Sequence, residues 1–250
     1  KYKDEYKVST VVGPAFPWGK GAEIWIDLVK QRTNGRINMK LYPGVSLVQG
    51  DQTREFTAIR QGVIDMAIGS TINWSPQVKE LNLFSLPFLM PDYKAMDALT
   101  QGEVGKDLFA VLEKKGDVIP LAWGENGFRE MSNSKKAIAT PADMKGLKFR
   151  AGGFAGKVLS RMGVVPQNIP GGEIYQALEK GTIDAAEWVG PYDDEKLGFH
   201  KVAKYYYYPG WQEPGLMNGF GFNKKAYEAA QAWLDEVKTA AKQEEQSETK

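Results

Sequence analysis

The stretch Thr140-Pro141-Ala142-Asp143-Met144-Lys145-Gly146-Leu147-Lys148-Phe149-Arg150 delivers an arginine where it could grip an anion. Thr140 suits a helix N-cap and Pro141 the first helical position. Gly146 ends that single turn, and Leu147 to Arg150 follows as a strand. Ala151-Gly152-Gly153 beyond it leaves the guanidinium little competition for space. An arginine so placed matches a planar carboxylate bidentately through its fork of N–H donors. Arg129 lies in a comparable place: it follows the buried-strand run Asp117 to Trp123 and the segment Gly124-Glu125-Asn126-Gly127-Phe128. Two arginines at strand exits make an anion clamp, or each pairs with a local Glu or Asp as a structural ion pair.

Glu187-Trp188 closes the run Thr182 to Ala186 and precedes Gly190-Pro191-Tyr192. A carboxylate among apolar residues needs a partner, because an isolated buried charge is costly. That partner is a ligand or a metal ion, or simply an arginine or the amides of a turn. Tyr205 to Tyr208 precede Pro209-Gly210-Trp211. Consecutive tyrosines in a strand alternate faces, so they wall a ligand cleft or pack in the core with hydroxyls at its rim. His200 is the only histidine and has no serine nucleophile motif nearby, so a non-catalytic place is favoured. The sequence has no cysteine, which excludes disulfides, thiol catalysis and cysteine-based zinc sites. Gly152-Gly153 and Gly171-Gly172 make neither a dinucleotide fingerprint nor a phosphate loop.

Placing such residues together requires strands that end side by side. Tyr6 to Val12 is rich in β-branched residues and reads as a strand. Trp18 to Arg32 has helical apolar spacing and stops at Asn34-Gly35. Arg36 to Tyr42 alternates as a second strand, Gln52 to Arg60 is a helix ended by Gly62, and Ile64 to Ile68 is a third strand. That order implies parallel strands with right-handed crossovers. Two helices broken near Gly102 fill Tyr93 to Lys115. A second unit follows, with strands Leu147 to Arg150, Val164 to Asn168 and Thr182 to Glu187 and helices Phe154 to Met162 and Gly172 to Lys180. Two α/β units suggest two lobes around a cleft, with ligands beyond the carboxyl ends of the strands. Residues 1–125 with about 210–235 are read as lobe I, and 126–209 with about 236–250 as lobe II. The tail from Ala226 is helical, with a charged end expected to fray.

Composition narrows the partners. The 250 residues balance 32 Lys and Arg against 31 Asp and Glu, a net charge of +1, which argues against nucleic acid. No apolar run is long enough to span a bilayer. Residue 1 is lysine rather than methionine, and an export signal removed during processing fits that start.

Further motifs complete the reading: Gly35-Arg36 leading to Leu41-Tyr42-Pro43-Gly44, then Arg60-Gln61-Gly62-Val63-Ile64-Asp65-Met66-Ala67, Leu86-Pro87-Phe88, Thr140 to Arg150, Ala177 to Asp184, and Asn223-Lys224-Lys225-Ala226-Tyr227. In this combination the chain resembles the extracytoplasmic solute-binding proteins of TRAP transporters, the DctP-type family, from about Tyr6 to Tyr227. The resemblance implies an α/β, two-lobe periplasmic-binding-protein-like fold with a central sheet in each lobe, hinge strands and a long spanning helix. It implies closure on an organic acid, with an arginine matching Arg150 on the carboxylate and Arg129 matching a second arginine of many members. Pro170 to Tyr175, Glu187 to Asp194 and Tyr208 to Trp211 resemble one branch, whose members bind 2-oxo or 2-hydroxy acids, some through a metal ion. In that branch residues matching Glu187, Trp188 and Glu213 help hold the cation, together with a glutamine whose place Arg129 takes here. A guanidinium there repels a cation, so neither metal nor cofactor is expected. Against that family the chain also stops early at its carboxyl end.

The sequence is therefore read as a periplasmic solute-binding protein, not an enzyme, and as a monomer that hands a small organic acid to membrane permease subunits. A sugar acid, a dicarboxylate or a 2-oxo or 2-hydroxy acid all fit. Arg150 is expected on the carboxylate and Arg129 against Glu187 and a second polar group. Trp188, Phe16, Trp74 and Tyr208 are expected as walls, Asn126 and Asn73 as polar contacts, and Glu213 beside the charged centre. The rivals are an acid-base lyase using Glu187 or Glu173 as general base, and a ligand-sensing module with the same site.

Overall fold

The computed structural model describes residues 3–127 and 129–248. The first part of the chain runs β1 (Tyr6–Thr10), α1 (Pro17–Arg32), β2 (Met39–Tyr42), α2 (Glu55–Arg60), β3 (Met66–Ser70), α3 (Thr71–Trp74), α4 (Tyr93–Gln101), α5 (Glu103–Gly116) and β4 (Val118–Glu125). It continues with β5 (Met131–Asn133), β6 (Lys148–Arg150), α6 (Gly153–Arg161), β7 (Val165–Gln167), α7 (Ile174–Glu179), β8 (Ala185–Glu187), α8 (Pro191–Lys196), α9 (Phe199–Val202), β9 (Tyr205–Tyr207), β10 (Met217–Asn223) and α10 (Lys224–Glu248).

These strands build two five-stranded sheets, in the orders β2-β1-β3-β10-β4 and β7-β6-β8-β5-β9. Each sheet repeats one plan. Three strands joined by helices lie parallel, and two more pair antiparallel at one side. The chain crosses between sheets from β4 to β5 and returns from β9 to β10. The crossings are laced together: the Asn126 amide donates to Leu216 O at 3.0 Å, Arg129 to Glu213 O at 3.3 Å, and Leu216 to Gly127 O at 3.2 Å.

The local chemistry of the entry to β6 agrees with its sequence, with one exchange of roles. A 3-10 turn, Pro141–Met144, follows Thr140, and Gly146 takes a left-handed φ of 78°. The Asp143 carboxylate closes this turn, accepting from the amides of Thr140 and Ala139 and from the Thr140 hydroxyl. Those donors hold the carboxyl below its usual range.

The first sheet is covered on both faces. Phe56, Ile59, Leu81, Phe84 and Leu112 pack on one; Tyr6, Val8, Trp18, Met66 and Phe222 pack on the other. Asn223 starts α10 by accepting from the Ala226 amide at 2.9 Å. Ala226, Tyr227, Ala230 and Trp233 then seat the helix on this sheet. Residues from about 236, expected with lobe II, continue the same helix as far as Glu248, and residues 249–250 lie outside the described ones. In the second sheet's cores, Ile72 and Leu216 from the first lobe join Ile174, Ile183, Ala186 and Phe199. The lobes also touch where Gly153 meets Ile72: a Cβ on that glycine would stand 2.7 Å from Ile72 Cγ2. Among the described residues no helix is long and apolar enough to cross a membrane.

Candidate functional site

Register explains the charged centre. Strand β8 lies between β6 and β5. On one side Arg150 pairs with Ala186, and on the other Met131 pairs with Glu187. Glu187 at the end of β8 is therefore flanked by Arg150 from β6 and by Arg129, two residues before Met131. The Arg129 guanidinium donates to both Glu187 oxygens, through Nε and through Nη2, the latter at 2.7 Å. Arg150 Nη1 donates to Glu187 Oε1 and to the Glu187 carbonyl, both at 3.0 Å. Its Nε donates to Ile169 O at 3.0 Å. Glu213, on the returning crossing, lies 3.5 Å from Arg129 Nε and accepts from Ser85 Oγ at 2.7 Å.

All four charged side chains are buried. Burial, reinforced by the like charge of Arg129 and opposed by Glu187, brings the Arg150 pKa down to about 10. Burial also acts on Arg129, but Glu187 and Glu213 outweigh it and its pKa is raised. Burial pushes the Glu213 carboxyl up to about 7 against the pull of Arg129. Two guanidinium groups thus face Glu187 and a carboxyl that burial drives toward its neutral form, so the centre carries a positive surplus of between none and one charge. A guanidinium already stands between the two carboxylates and both Glu187 oxygens are engaged, so the residues do not fit a metal ion at Glu187.

Each arginine keeps one terminal nitrogen, Nη2 of Arg150 and Nη1 of Arg129, without a hydrogen bond to the described residues. Both arginines line a cavity of about 90 Å³ between the lobes. Trp188 lines it too, with the Arg150 guanidinium 5.2 Å from its ring centre and its indole N–H without a partner among the described residues. Asn73 completes the expected residues found there.

The other expected residues lie elsewhere. Glu187 and Glu213 sit behind the arginines and do not line the cavity. Trp74, expected as a wall, is fully buried in the first lobe. It packs 5.1 Å from the Phe56 ring and against β10, where a Cβ on Gly219 would come within 2.4 Å of its ring. Phe16 also falls outside the lining; α1 turns Trp18 inward instead, its indole N–H donating to Ile68 O at 2.6 Å. Asn126 and Tyr208 line a second, larger cavity that shares only Val189 with the first. Of the other tyrosines, Tyr206 donates to Asp194, Tyr207 accepts from the Ile138 amide, and His200 is exposed away from the site.

Sequence reasoning missed Gln52, Thr53, Ser70, Ile72 and Asn168 in the lining. The signal for two of them was present. Ser70 ends β3 and Asn168 follows β7, so the strand-end rule that singles out Arg150 reaches them as well.

A family model described as "Bacterial extracellular solute-binding protein, family 7" matches residues 8–250. A TRAP periplasmic solute-binding protein of Ralstonia eutropha H16, solved with bound (S)-2-acetolactate, is 58% identical with a TM-score of 0.84, covering 91% of this chain and 72% of that one. A TRAP periplasmic solute-binding protein of Colwellia psychrerythraea, solved with calcium and pyruvate, is 35% identical with a TM-score of 0.81, covering 92% of this chain and 69% of that one. The monocarboxylate 2-oxoacid-binding periplasmic protein of Nostoc sp. is 41% identical over 198 residues, 78% of this chain and 53% of that protein. The chain spans about half the length of the curated relatives it matches.

Proposed function

The chain belongs to the bacterial extracellular solute-binding proteins of family 7, and from that membership we propose that it captures a small organic monocarboxylate between its lobes. It then delivers the acid, in the periplasm, to the permease of a TRAP transporter. The observation that carries this reading is that Arg150 and Arg129 line one cavity between the lobes, each with a terminal nitrogen that has no hydrogen bond to the described residues. Arg150 cannot offer its whole fork, because Nε and Nη1 already serve protein acceptors. A carboxylate bridges the two arginines instead, one oxygen to each.

Charge and size favour one acid group over two. A positive surplus of at most one charge matches a monoanion, and a second carboxylate would lie uncompensated in a buried site. A cavity of about 90 Å³ holds roughly six to nine water-sized groups, the scale of a small oxo or hydroxy acid rather than a hexuronate. The free Trp188 indole N–H suits an oxygen next to the carboxylate. The acetolactate in the Ralstonia relative belongs to that class.

The lyase alternative lacks a base. Both Glu187 oxygens accept from arginine, and Glu173 is exposed outside the cavity. Calorimetry with pyruvate, 2-oxobutanoate, acetolactate, succinate and glucuronate tests the proposal. The three monoacids are expected to bind, and Arg150→Ala to weaken them about ten- to a hundredfold by removing a charged hydrogen-bond donor. Undiminished binding by that variant, or a preference for succinate or glucuronate, overturns the reading.

A further inference from the structure

The second cavity, about 530 Å³, lies between the lobes and is built from other residues than the acid site, Val189 apart. Its charged lining is acidic: Asp92 and Glu125 from the first lobe, Glu130 and Asp193 from the second, with no lysine or arginine among the described lining residues. Tyr192 and Tyr208, 53% and 74% exposed, add ring faces to the same wall. Asp92 is occupied in starting α4, accepting from the Ala95 amide at 2.8 Å. Glu130 and Asp193 are different: they are only 1% and 3% exposed, and among the described residues Oδ2 of Asp193 has no hydrogen-bond partner and Oε2 of Glu130 none in strict geometry, though the Gly210 amide lies beside Glu130. Buried acceptors without donors are costly to keep.

Lys196, the cation that acts on Asp193, leaves that need unmet. Lys196 donates to the Ala15 carbonyl at 2.9 Å and rests 4.9 Å over the Tyr192 ring. It offsets part of the burial of Asp193, whose carboxyl is still pushed up to about 6, while burial holds Glu130 at about 7. A metal ion is a poor occupant, since no group of three or more acidic or histidine side chains among the described residues is arranged to hold one. The volume is that of a small-molecule pocket, and carboxylates with aromatic faces recognise organic cations.

We propose that this cavity is a second binding site, for a free organic cation that carries primary ammonium or guanidinium groups. Its donors satisfy Glu130 and Asp193 while its body lies against Tyr192 and Tyr208. The cation binds independently of the acid held by Arg150.

Calorimetry of 1,4-diaminobutane and of agmatine into the full chain at pH 8 tests this, with pyruvate titrated in parallel to report the acid site. Saturable binding of one amine per chain is expected. Glu130→Gln and Asp193→Asn should each weaken it about tenfold, as loss of a charged hydrogen bond does, and leave pyruvate binding within about twofold. Tyr208→Ala changes an exposed ring, so it decides the matter should a buried substitution unfold the chain; it too should weaken the amine. No saturable binding of either amine, or binding that survives all three substitutions, overturns the proposal.

Discussion

Glu187 is the residue on which the charged centre turns. It accepts from two guanidinium groups, and so orients Arg129 and Arg150. Glu55 poses a separate question at the same scale. It is buried at 1% exposure in the first lobe, accepting from Ser9 Oγ at 2.8 Å. The Trp74 indole lies beside it, outside strict hydrogen-bond geometry. Burial raises its carboxyl from 4.5 to about 7. The folded chain therefore holds this proton more tightly than the unfolded chain does. The stability it brings is complete below the unfolded value and is lost as pH rises through about 7. Glu55→Gln, which mimics the protonated form, should match the parent near pH 4.5 and exceed it at pH 8 by up to about 3 kcal/mol. Urea unfolding of both chains at the two pH values measures the gap; a gap that stays constant with pH contradicts this assignment.

At the scale of elements, strand ends decide which side chains meet, and glycines decide how closely. The ring of Trp188 rests on Gly171 at the start of a 3-10 turn, where a Cβ would lie 2.2 Å from the ring edge. Gly172 has nothing within 4 Å. Gly171→Ala should therefore push the indole off Arg150 and weaken acid binding about tenfold or more, an overpacking cost of roughly 1–3 kcal/mol. Gly172→Ala should not, and equal losses in the two variants would show that Trp188 is not positioned this way. Glycine also explains a strand invisible in the sequence. Met217–Asn223 alternates Gly219 and Gly221 on the face that receives Trp74, and glycine weakens the pattern by which strands are recognised. Strand β5, three residues long, carries too few alternations to be seen.

At the scale of the molecule, two crossings join the lobes and Gly153 meets Ile72 where they touch, so the closure proposed for ligand capture would press on that contact. Gly153 has a φ of 58°, a conformation costly for any residue with a Cβ, and that Cβ would meet Ile72 across the cleft. A ligand shifts such an equilibrium only by binding the closed form better. Small-angle scattering should show the parent contracting when acid is added. Gly153→Ala should contract less and bind more weakly, and adding Ile72→Ala, which removes the Cγ2 in the way, should restore contraction. If the single variant contracts as fully as the parent, this contact does not gate closure.

The sequence by itself determined the α/β order, the strand ends carrying Arg150 and Glu187, and the family, because turn residues, apolar period and local motifs are written along the chain. It reached Arg129, Asn73 and Trp188 as residues of the cleft as well. It placed Trp74 and Phe16 in the wrong surroundings, since an aromatic side chain suits a core and a pocket wall equally well. Only the tertiary structure decided that Glu187 sits between two arginines, since this follows from β8 lying between β6 and β5. It also separated Asn126 and Tyr208 from the acid cavity, because distances across a cleft depend on how two lobes pack, which no local pattern encodes.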